Sequence, residues 1–318
     1  MASYPSFDPS NLFRVDGMVA VITGGGTGIG LAMAAALASN GAKRVYILGR
    51  RYDVLLSAVK LYPDVFYPIQ CDVTSHESLR AAVDAVTANS GYINLLIVNS
   101  GAGGPSFGWD PSKPLTEVWE KLFPMDDAAG QELMDGMNET FNVNTTAAFF
   151  TMAAFLDLLE KGNKHAVGHI PPSEGEVVFG APTQPDSDVP SIQSQIIVTG
   201  SIAGYSRSYL SSPAYVASKA AVVHLAKQAS SGLARYGIRV NALAPGLFPS
   251  ELAQRLIADR DPSKEPPDHP KFQPSRRFGG DEEMAGTVLY LASRAGSYCN
   301  GTILVMDGGR LSVMPSSY

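Results

Sequence analysis

Short apolar runs alternate along the chain with stretches whose apolar positions repeat at helical spacing. The runs are MVAVITG (Met18 to Gly24), RVYILG, VFYPIQCDV (Val65 to Val73), NLLIVNSG (Asn94 to Gly101), QIIVTGS (Gln195 to Ser201), IRVNALAPG (Ile238 to Gly246) and GTILVMDGG (Gly301 to Gly309). Each reads as a buried strand. Helical patterns lie between most of them: IGLAMAAALASNG, SHESLRAAVDAVTANSG, NTTAAFFTMAAFLDLLEKG, AYVASKAAVVHLAKQASSGLARYG and DEEMAGTVLYLASRAG. Seven strands alternating with helices predict an α/β fold, a doubly wound parallel seven-stranded sheet whose ligands bind at the carboxyl ends of the strands.

One interval breaks the rhythm. From Asn99 to Ser201 is 102 positions, whereas a complete strand-helix-strand unit needs only about 30 or somewhat more. The surplus falls on both sides of the helix near Asn144, in two insertions at approximately 103–138 and 161–194. The first carries Trp109 and Trp119 and is expected to wall the substrate cleft. The second is rich in proline and acid and is expected to be an exposed excursion, with EGEVVFGAP as a short hairpin strand in it. Such long connections in a compact domain are usually functional or mobile. No linker divides the chain, so residues 1–318 are read as a single dinucleotide-binding and catalytic domain.

The composition, 45% hydrophobic and 17% charged, suits a globular enzyme. A formal net charge of −6 without a basic cluster argues against nucleic acid and anionic membrane as partners. No uncharged apolar segment approaches the roughly 18 residues of a membrane span. Small molecules are the expected partners. With only Cys71 and Cys299 there is no disulfide framework, and no secretory leader pattern is evident, so a cytoplasmic setting is expected.

TGGGTGIG (Thr23 to Gly30) lies where the first strand meets the first long helix, the place where backbone N–H groups and the helix dipole converge on a phosphate. Glycine at 24, 28 and 30 allows close backbone approach and tight packing of helix on strand. Dinucleotide sites usually place an acid near the end of the second strand to hold the ribose 2′-hydroxyl, while an arginine there favours a 2′-phosphate. This chain has Gly49, Arg50 and Arg51. Arg50 first, and Arg51 second, therefore point to NADP(H) over NAD(H).

Tyr215 and Lys219 sit four residues apart on a predicted helix, so their polar ends can meet on one face. An ammonium fixed beside a phenol favours the phenolate, and the pair is expected to lower the Tyr215 pKa from about 10. Taken alone, such a pair is more often an exposed aromatic and a solvated lysine.

Its company changes that reading. TGGGTGIG, CDV with Asp72, NSGAG from Asn99, FNVN ending at Asn144, TGSIAG with Ser201, YVASK, and NALAPG followed by LFPSEL occur in the order found in the short-chain dehydrogenase/reductase family, which the chain resembles over nearly its whole length. The resemblance implies a Rossmann-like fold and a set of roles. Tyr215 would exchange a proton with the substrate oxygen, Lys219 would tune it and bond the nicotinamide ribose, Ser201 would bond the same oxygen, and Asn144 would hold a water of a proton relay. Gly24, Thr27, Gly28, Ile29, Gly30 and Gly101 would border the cofactor with Tyr215 and Lys219. Asp72 and Val73 would sit at the adenine, and Asn99 would steady the central strands. Pro245, Gly246 and Leu247 would lie against the nicotinamide, with Ser250 in the place of a threonine that bonds the pyrophosphate or carboxamide.

Other features weigh less. His165 and His169 have a metal-ligating spacing, but Gly168, Pro171 and Pro172 speak against a helix there and for loop histidines. No metal is expected. The helix carrying Tyr215 and the segment AAFFTMAAF are apolar around much of their circumference, which fits the family's homodimers and homotetramers. The expected function is NADPH-dependent reduction of a carbonyl, reversible with its alcohol, on a hydrophobic ketone, 3-oxoacyl or polyketide-like substrate. Sugar or polyol oxidoreduction is the enzymatic alternative, and a noncatalytic NADP(H)-sensing scaffold the alternative of another class.

Overall fold

All seven expected strands form: β1 (Val19–Thr23), β2 (Arg44–Gly49), β3 (Phe66–Gln70), β4 (Leu95–Val98), β5 (Gln195–Thr199), β6 (Arg239–Pro245) and β7 (Ile303–Met306). The computed structural model describes residues 8–167, 189 and 191–318. The strands make one sheet in the order β3-β2-β1-β4-β5-β6-β7, with every neighbouring pair parallel. The chain reverses direction across the sheet between β1 and β4. A doubly wound sheet opens its ligand crevice at the carboxyl ends of such a pair, here Thr23 and Val98.

The helices are α1 (Pro9–Leu12), α2 (Gly28–Ser39), α3 (Tyr52–Val59), α4 (His76–Asn89), α5 (Leu115–Leu122), α6 (Asp127–Phe141), α7 (Ala147–Ala154), α8 (Leu156–Val167), α9 (Pro213–Leu233), α10 (Gln254–Ile257) and α11 (Asp281–Ala292). Alternation along the strands separates two cores. In β1, Ala20 and Ile22 face one apolar layer with Met33 and Leu37 of α2 and Val288 and Leu291 of α11. Val19 and Val21 face the other, with Val86 of α4, Met152 of α7, Leu158 of α8 and Val222 of α9. Both layers are needed because β1 is buried along its whole length. Phe155, fully buried at the break between α7 and α8, contributes roughly 1.5–3 kcal/mol by leaving water.

The first insertion is more helical than its sequence suggested. It contains α5 and most of α6, and α6 runs on into α7 through a π-turn at Asn142–Thr146. Asp126 caps α6 by accepting from Ala129 N at 2.8 Å. In the second insertion, residues 161–167 belong to α8, so His165 is helical and not in a loop; its ring stacks on Tyr92 with centroids 4.1 Å apart. His169, the proline-rich excursion and the EGEVVFGAP strand lie outside the described residues. The two ends of that excursion are fastened together: Asn163 accepts from Ser194 N at 2.6 Å and donates to Tyr236 O and Gly237 O.

Candidate active site

The glycine turn after β1 is a cradle built by close packing. Gly24 has φ +65°, a left-handed conformation that favours glycine. A Cβ on Gly30 would run into Gly24 O, so helix α2 rests directly on the turn. Gly28, at φ +52°, starts α2, and Thr27 before it makes no side-chain cap, which leaves the first N–H groups of the helix to a ligand. Asn99 links this turn to β4: its N–H donates to Thr23 Oγ1 at 2.9 Å and its Nδ2 to Thr23 O and Gly24 O. Asn99 Oδ1 is buried without a partner, an acceptor waiting at the crevice. The glycine turn and the uncapped start of α2 fit a dinucleotide pyrophosphate.

The segment after β6 closes over that turn. Gly246 N donates to Met306 O at 2.8 Å, and Gly279 N donates to Leu247 O at 3.0 Å, so residues 246–247 are held flat between β7 and the chain before α11. Ser250 lies against Gly28, where an added Cβ would meet Ser250 Cβ at 3.0 Å. The Ser250 hydroxyl accepts from Ala253 N. Next to it, Glu251 accepts from Arg51 at 2.7 Å in an exposed ion pair, so Arg51 is committed to this bridge. Arg50 stays exposed, and its charge helps to hold the Asp72 carboxyl below its usual range, after the larger effect of the Thr74 side-chain and backbone donors. Asp72 is thus a turn former on these contacts, accepting from Thr74 N and Oγ1. Val73 follows it, partly buried against the second core.

Ser201, Tyr215 and Lys219 come together at the ends of β5 and α9. Ser201 is buried; its hydroxyl accepts from Ala203 N at 3.1 Å and stands close enough to Tyr215 to act against the upward shift of the phenol. The backbone contact expected of a strand-end serine is present, and the hydroxyl stands on the side of Tyr215. The 14-residue return from Ser201 to Tyr215 is made by a 3-10 turn at Ile202–Tyr205 and a loop whose Ser212 donates to Pro105 O at 2.8 Å. Lys219 is 3% exposed and donates to Thr199 O at 3.0 Å; its Nζ stands 5.8 Å from the centre of the Tyr215 ring.

The protonation pattern corrects one expectation. Burial pushes the Tyr215 phenol up, and only the bond from Ser201 opposes it; no lowering by Lys219 enters. The ammonium is turned to a carbonyl and is itself desolvated, which lowers its pKa to about 8. Asn144, on the π-turn, is 2% exposed. Its Oδ1 accepts from Ala102 N at 2.8 Å, and its Nδ2 donates to Ala102 O and to Ser218 Oγ. Gly101 faces the same group: an added Cβ would lie 3.1 Å from Asn144 Oδ1 and 3.4 Å from Lys219 Nζ. Ser218, Thr199 and Ala102 are supporting residues that motif reading passed over. Ser218 could have been found, since it stands inside YVASK; nothing in the sequence singles out the two carbonyl acceptors, Thr199 O and Ala102 O.

Residues 103–108 of the first insertion form a wall against the segments after β6 and before α9. Gly103 packs on Leu252 and Gly108 on Tyr209 O, whereas Trp109 and Trp119 are exposed. A cavity of about 790 Å³ lies behind this wall, lined by Ala102, Gly104, Pro105, Leu133, Glu139 and Thr140 among others. None of Ser201, Tyr215 and Lys219 lines it, so it backs the wall and does not hold the reacting groups. Among the described residues no helix is long and apolar enough to cross a membrane, and no three His, Cys, Asp or Glu side chains gather to hold a metal. Cys71 is buried, and burial raises its thiol pKa; Cys299 is partly buried beside Tyr290.

A parallel sheet with a glycine cradle at its switch point, and a Ser-Tyr-Lys group at the ends of β5 and α9, defines a dinucleotide-dependent oxidoreductase. Family models described as short chain dehydrogenase and as enoyl-(acyl carrier protein) reductase match residues 18–170 and 189–310. The chain is 55% identical to short-chain dehydrogenase/reductase SAT3 of Stachybotrys chartarum over 90% of this chain and 100% of that protein. It is 41% identical to short-chain dehydrogenase/reductase PhomF of Diaporthe leptostromiformis, covering 99% of this chain and 98% of the other. A gluconate 5-dehydrogenase structure from Burkholderia cenocepacia, in complex with NADP and tartrate, superposes with a TM-score of 0.70 at 26% identity, covering 95% and 98% of the two chains. The chain belongs to the short-chain dehydrogenase/reductase family.

Proposed function

We propose that the protein is an NADPH-dependent carbonyl reductase, interconverting a ketone and a secondary alcohol. The observation that carries this reading is the convergence of Ser201, Tyr215 and a buried Lys219 next to the glycine cradle. The Thr23–Gly30 turn and the start of α2 would hold the pyrophosphate of NADPH, which when bound would supply the hydride for the carbonyl carbon. Tyr215 would give its proton to the carbonyl oxygen, and burial keeps the phenol protonated for that role. Ser201 bonds the same oxygen and stabilises the charge that builds on it. Lys219, released from Thr199 O, would bond the ribose, and Asn144 fixes the Ala102 backbone beside it while serving the proton relay.

Arg50 supports the choice of NADPH. It is exposed at the end of β2, while its neighbour Arg51 is paired with Glu251, and a guanidinium there can hold a 2′-phosphate bidentately. The gluconate 5-dehydrogenase structure, which holds NADP, is consistent with this. Asp72 and Val73 would face the adenine, and Pro245, Gly246, Leu247 and Ser250 the nicotinamide half. A hydrophobic ketone, a 3-oxoacyl or a polyketide-like substrate is the first reading, supported by the half-exposed apolar Leu252 and Tyr209, whose segments pack on Gly103 and Gly108. The similarity to a gluconate dehydrogenase favours sugar or polyol oxidoreduction as the second reading. Phe149 and Phe150, half-exposed on α7, support a homodimer or homotetramer. Free cysteines fit a cytoplasmic enzyme.

The test is to mix pure protein with NADPH and a panel of ketones and sugars and follow the absorbance of the reduced nicotinamide. Tyr215→Phe should cut turnover by about a thousandfold and leave NADPH binding intact. Binding of NADPH without turnover of any compound would favour a noncatalytic NADP(H)-sensing scaffold, and an active Tyr215→Phe would overturn the role of the phenol.

A further inference from the structure

Pro315 to Tyr318 lie along the loop that joins Ser201 to Tyr215. Arg207 N donates to Pro315 O at 2.8 Å, and Ser317 N donates to Tyr205 O at 2.8 Å, with Ser206 opposite Ser316 in an antiparallel bridge. The rings of Tyr205 and Tyr318 meet edge to face, with centroids 5.2 Å apart. Burial, and then Tyr318, push the Tyr205 phenol up. On its other side the loop presses on the catalytic helix: a Cβ on Gly204 would lie 2.9 Å from Lys219 C and O and from Ala220 N. Gly204 N in turn donates to Ser201 O at 3.1 Å. Contacts therefore run without a gap from Tyr318 through Tyr205 and Gly204 to the backbone of Ser201 and Lys219.

We propose that Tyr205 and the Pro315–Tyr318 segment are positioning elements, a strap that holds the 202–205 turn against α9 and so sets the separation of Ser201 from Tyr215. The loop has need of one. Between Ser206 and Ser212 its own bonds are mostly hydroxyl contacts, such as Ser206 Oγ to Ser211 Oγ at 3.1 Å and Leu210 N to Ser208 Oγ at 3.3 Å, and Arg207, Tyr209 and Leu210 are exposed. Such a loop ranks low in local stability unless a neighbour orders it. Two backbone bonds and an aromatic pair supply that order from outside, in the manner of a shell that locks a reactive group. The strap touches neither of the reacting hydroxyls, so its effect on chemistry is through Ser201 and Tyr215 alone. This inference rests on the proposed carbonyl reduction for its kinetic consequence, but the strap itself can be measured without it.

Tyr318 is exposed, so its replacement should leave the fold intact. Tyr318→Ala and Ser317→Pro, the latter removing the N–H that bonds Tyr205 O, are compared with Tyr318→Phe, which keeps the ring. Amide hydrogen exchange in the protein is read at residues 202–207, together with melting temperature and NADPH affinity. Tyr318→Ala and Ser317→Pro should speed exchange there about tenfold, with melting temperature and NADPH affinity unchanged, and Tyr318→Phe should match the parent. With whichever ketone the parent turns over, kcat should fall about tenfold in the two strap variants and recover in Tyr318→Phe. Unchanged exchange in both strap variants overturns the strap. Faster exchange with kcat intact overturns its role in positioning. An inactive parent refutes the proposed reaction and leaves the exchange result to decide the strap.

Discussion

Asn144 grips Ala102 with both ends of its side chain, Oδ1 accepting from Ala102 N at 2.8 Å and Nδ2 donating to Ala102 O at 2.9 Å. An amide suits this place because it offers a donor and an acceptor side by side, matching a backbone that offers both. The π-turn at Asn142–Thr146 inserts the side chain into the chain behind Lys219, and such turns recur at functional sites.

Asn144→Asp keeps the shape and removes the donor. One carboxylate oxygen then faces Ala102 O, and the bond to Ser218 Oγ loses its hydrogen. Because the group is buried, the cost should be about 2–3 kcal/mol, readable as a lower denaturation midpoint with an unchanged slope. Turnover should fall as well, since Gly101, next to Ala102, abuts Lys219 Nζ. A variant as stable and as active as the parent would remove Asn144 from both roles.

Lys219 carries a measurable cost. Its pKa falls from 10.5 to about 8 on burial, which corresponds to about 3 kcal/mol against the charged form. Between about pH 8 and 10.5 the unfolded chain binds the proton that the folded chain has released, so stability rises with pH across that window; below 8 both states are charged and the full cost remains. Lys219→Met removes the cost and leaves Thr199 O without this donor, worth about 1 kcal/mol in the other direction. The variant should therefore melt above the parent at pH 7 while being inactive, with the gain shrinking as pH approaches 10. A melting difference of the opposite sign, or one independent of pH, would contradict the assigned burial.

How much of this was legible from the chain follows from where the forces act. β2 occupies RVYILG from end to end because an apolar run bounded by glycine has only one way to be buried on both faces. The Tyr215–Lys219 pair was legible because helical spacing fixes which side chains share a face. The direction of the Tyr215 shift was not, because it depends on where a flexible ammonium points, and a carbonyl 20 positions earlier in the chain takes it. The Arg51–Glu251 bridge joins residues 200 positions apart, which no local pattern reports. Helices α5 and α6 were passed over for a different reason: Leu115, Val118, Trp119 and Leu122 do repeat at helical spacing, but α5 buries none of its residues and α6 is interrupted by Gly130 and Gly136, so the segment reads as a connection and not as part of the core.

Cofactor choice can be assigned to one arginine of the adjacent pair. Arg50→Ala should weaken NADPH by about ten- to a hundredfold while NADH changes little, since a charge-assisted bond to phosphate is worth about 1.5–3 kcal/mol. Arg51→Ala should change the ratio less, because Arg51 is already paired with Glu251. Direct titration of the two dinucleotides by fluorescence settles this; an unshifted ratio in Arg50→Ala counts against the NADPH assignment.

Arg239 offers a last test, of stability and not of catalysis. It is 3% exposed on β6 with no carboxylate partner among the described residues, donating to Gln195 Oε1, Gly296 O, Cys299 O and Leu291 O, and burial lowers its pKa to about 10. Most of these acceptors have a second donor: Asn241 Nδ2 reaches Gln195 Oε1 and Cys299 O, and Gln195 Nε2 reaches Leu291 O. Removing the guanidinium therefore deprives Gly296 O of its side-chain donor while relieving a buried charge, which is costly unless paired. Against this stands the macrodipole of α11, whose last turn carries Leu291 and favours a cation. The two nearly offset, so Arg239→Met, which keeps the volume, should stay within about 1 kcal/mol of the parent, and Arg239→Ala, which opens a cavity, should lose roughly 2–5 kcal/mol. If the Met variant unfolds as readily as the Ala variant, the charge and not the packing holds the end of α11 to the sheet.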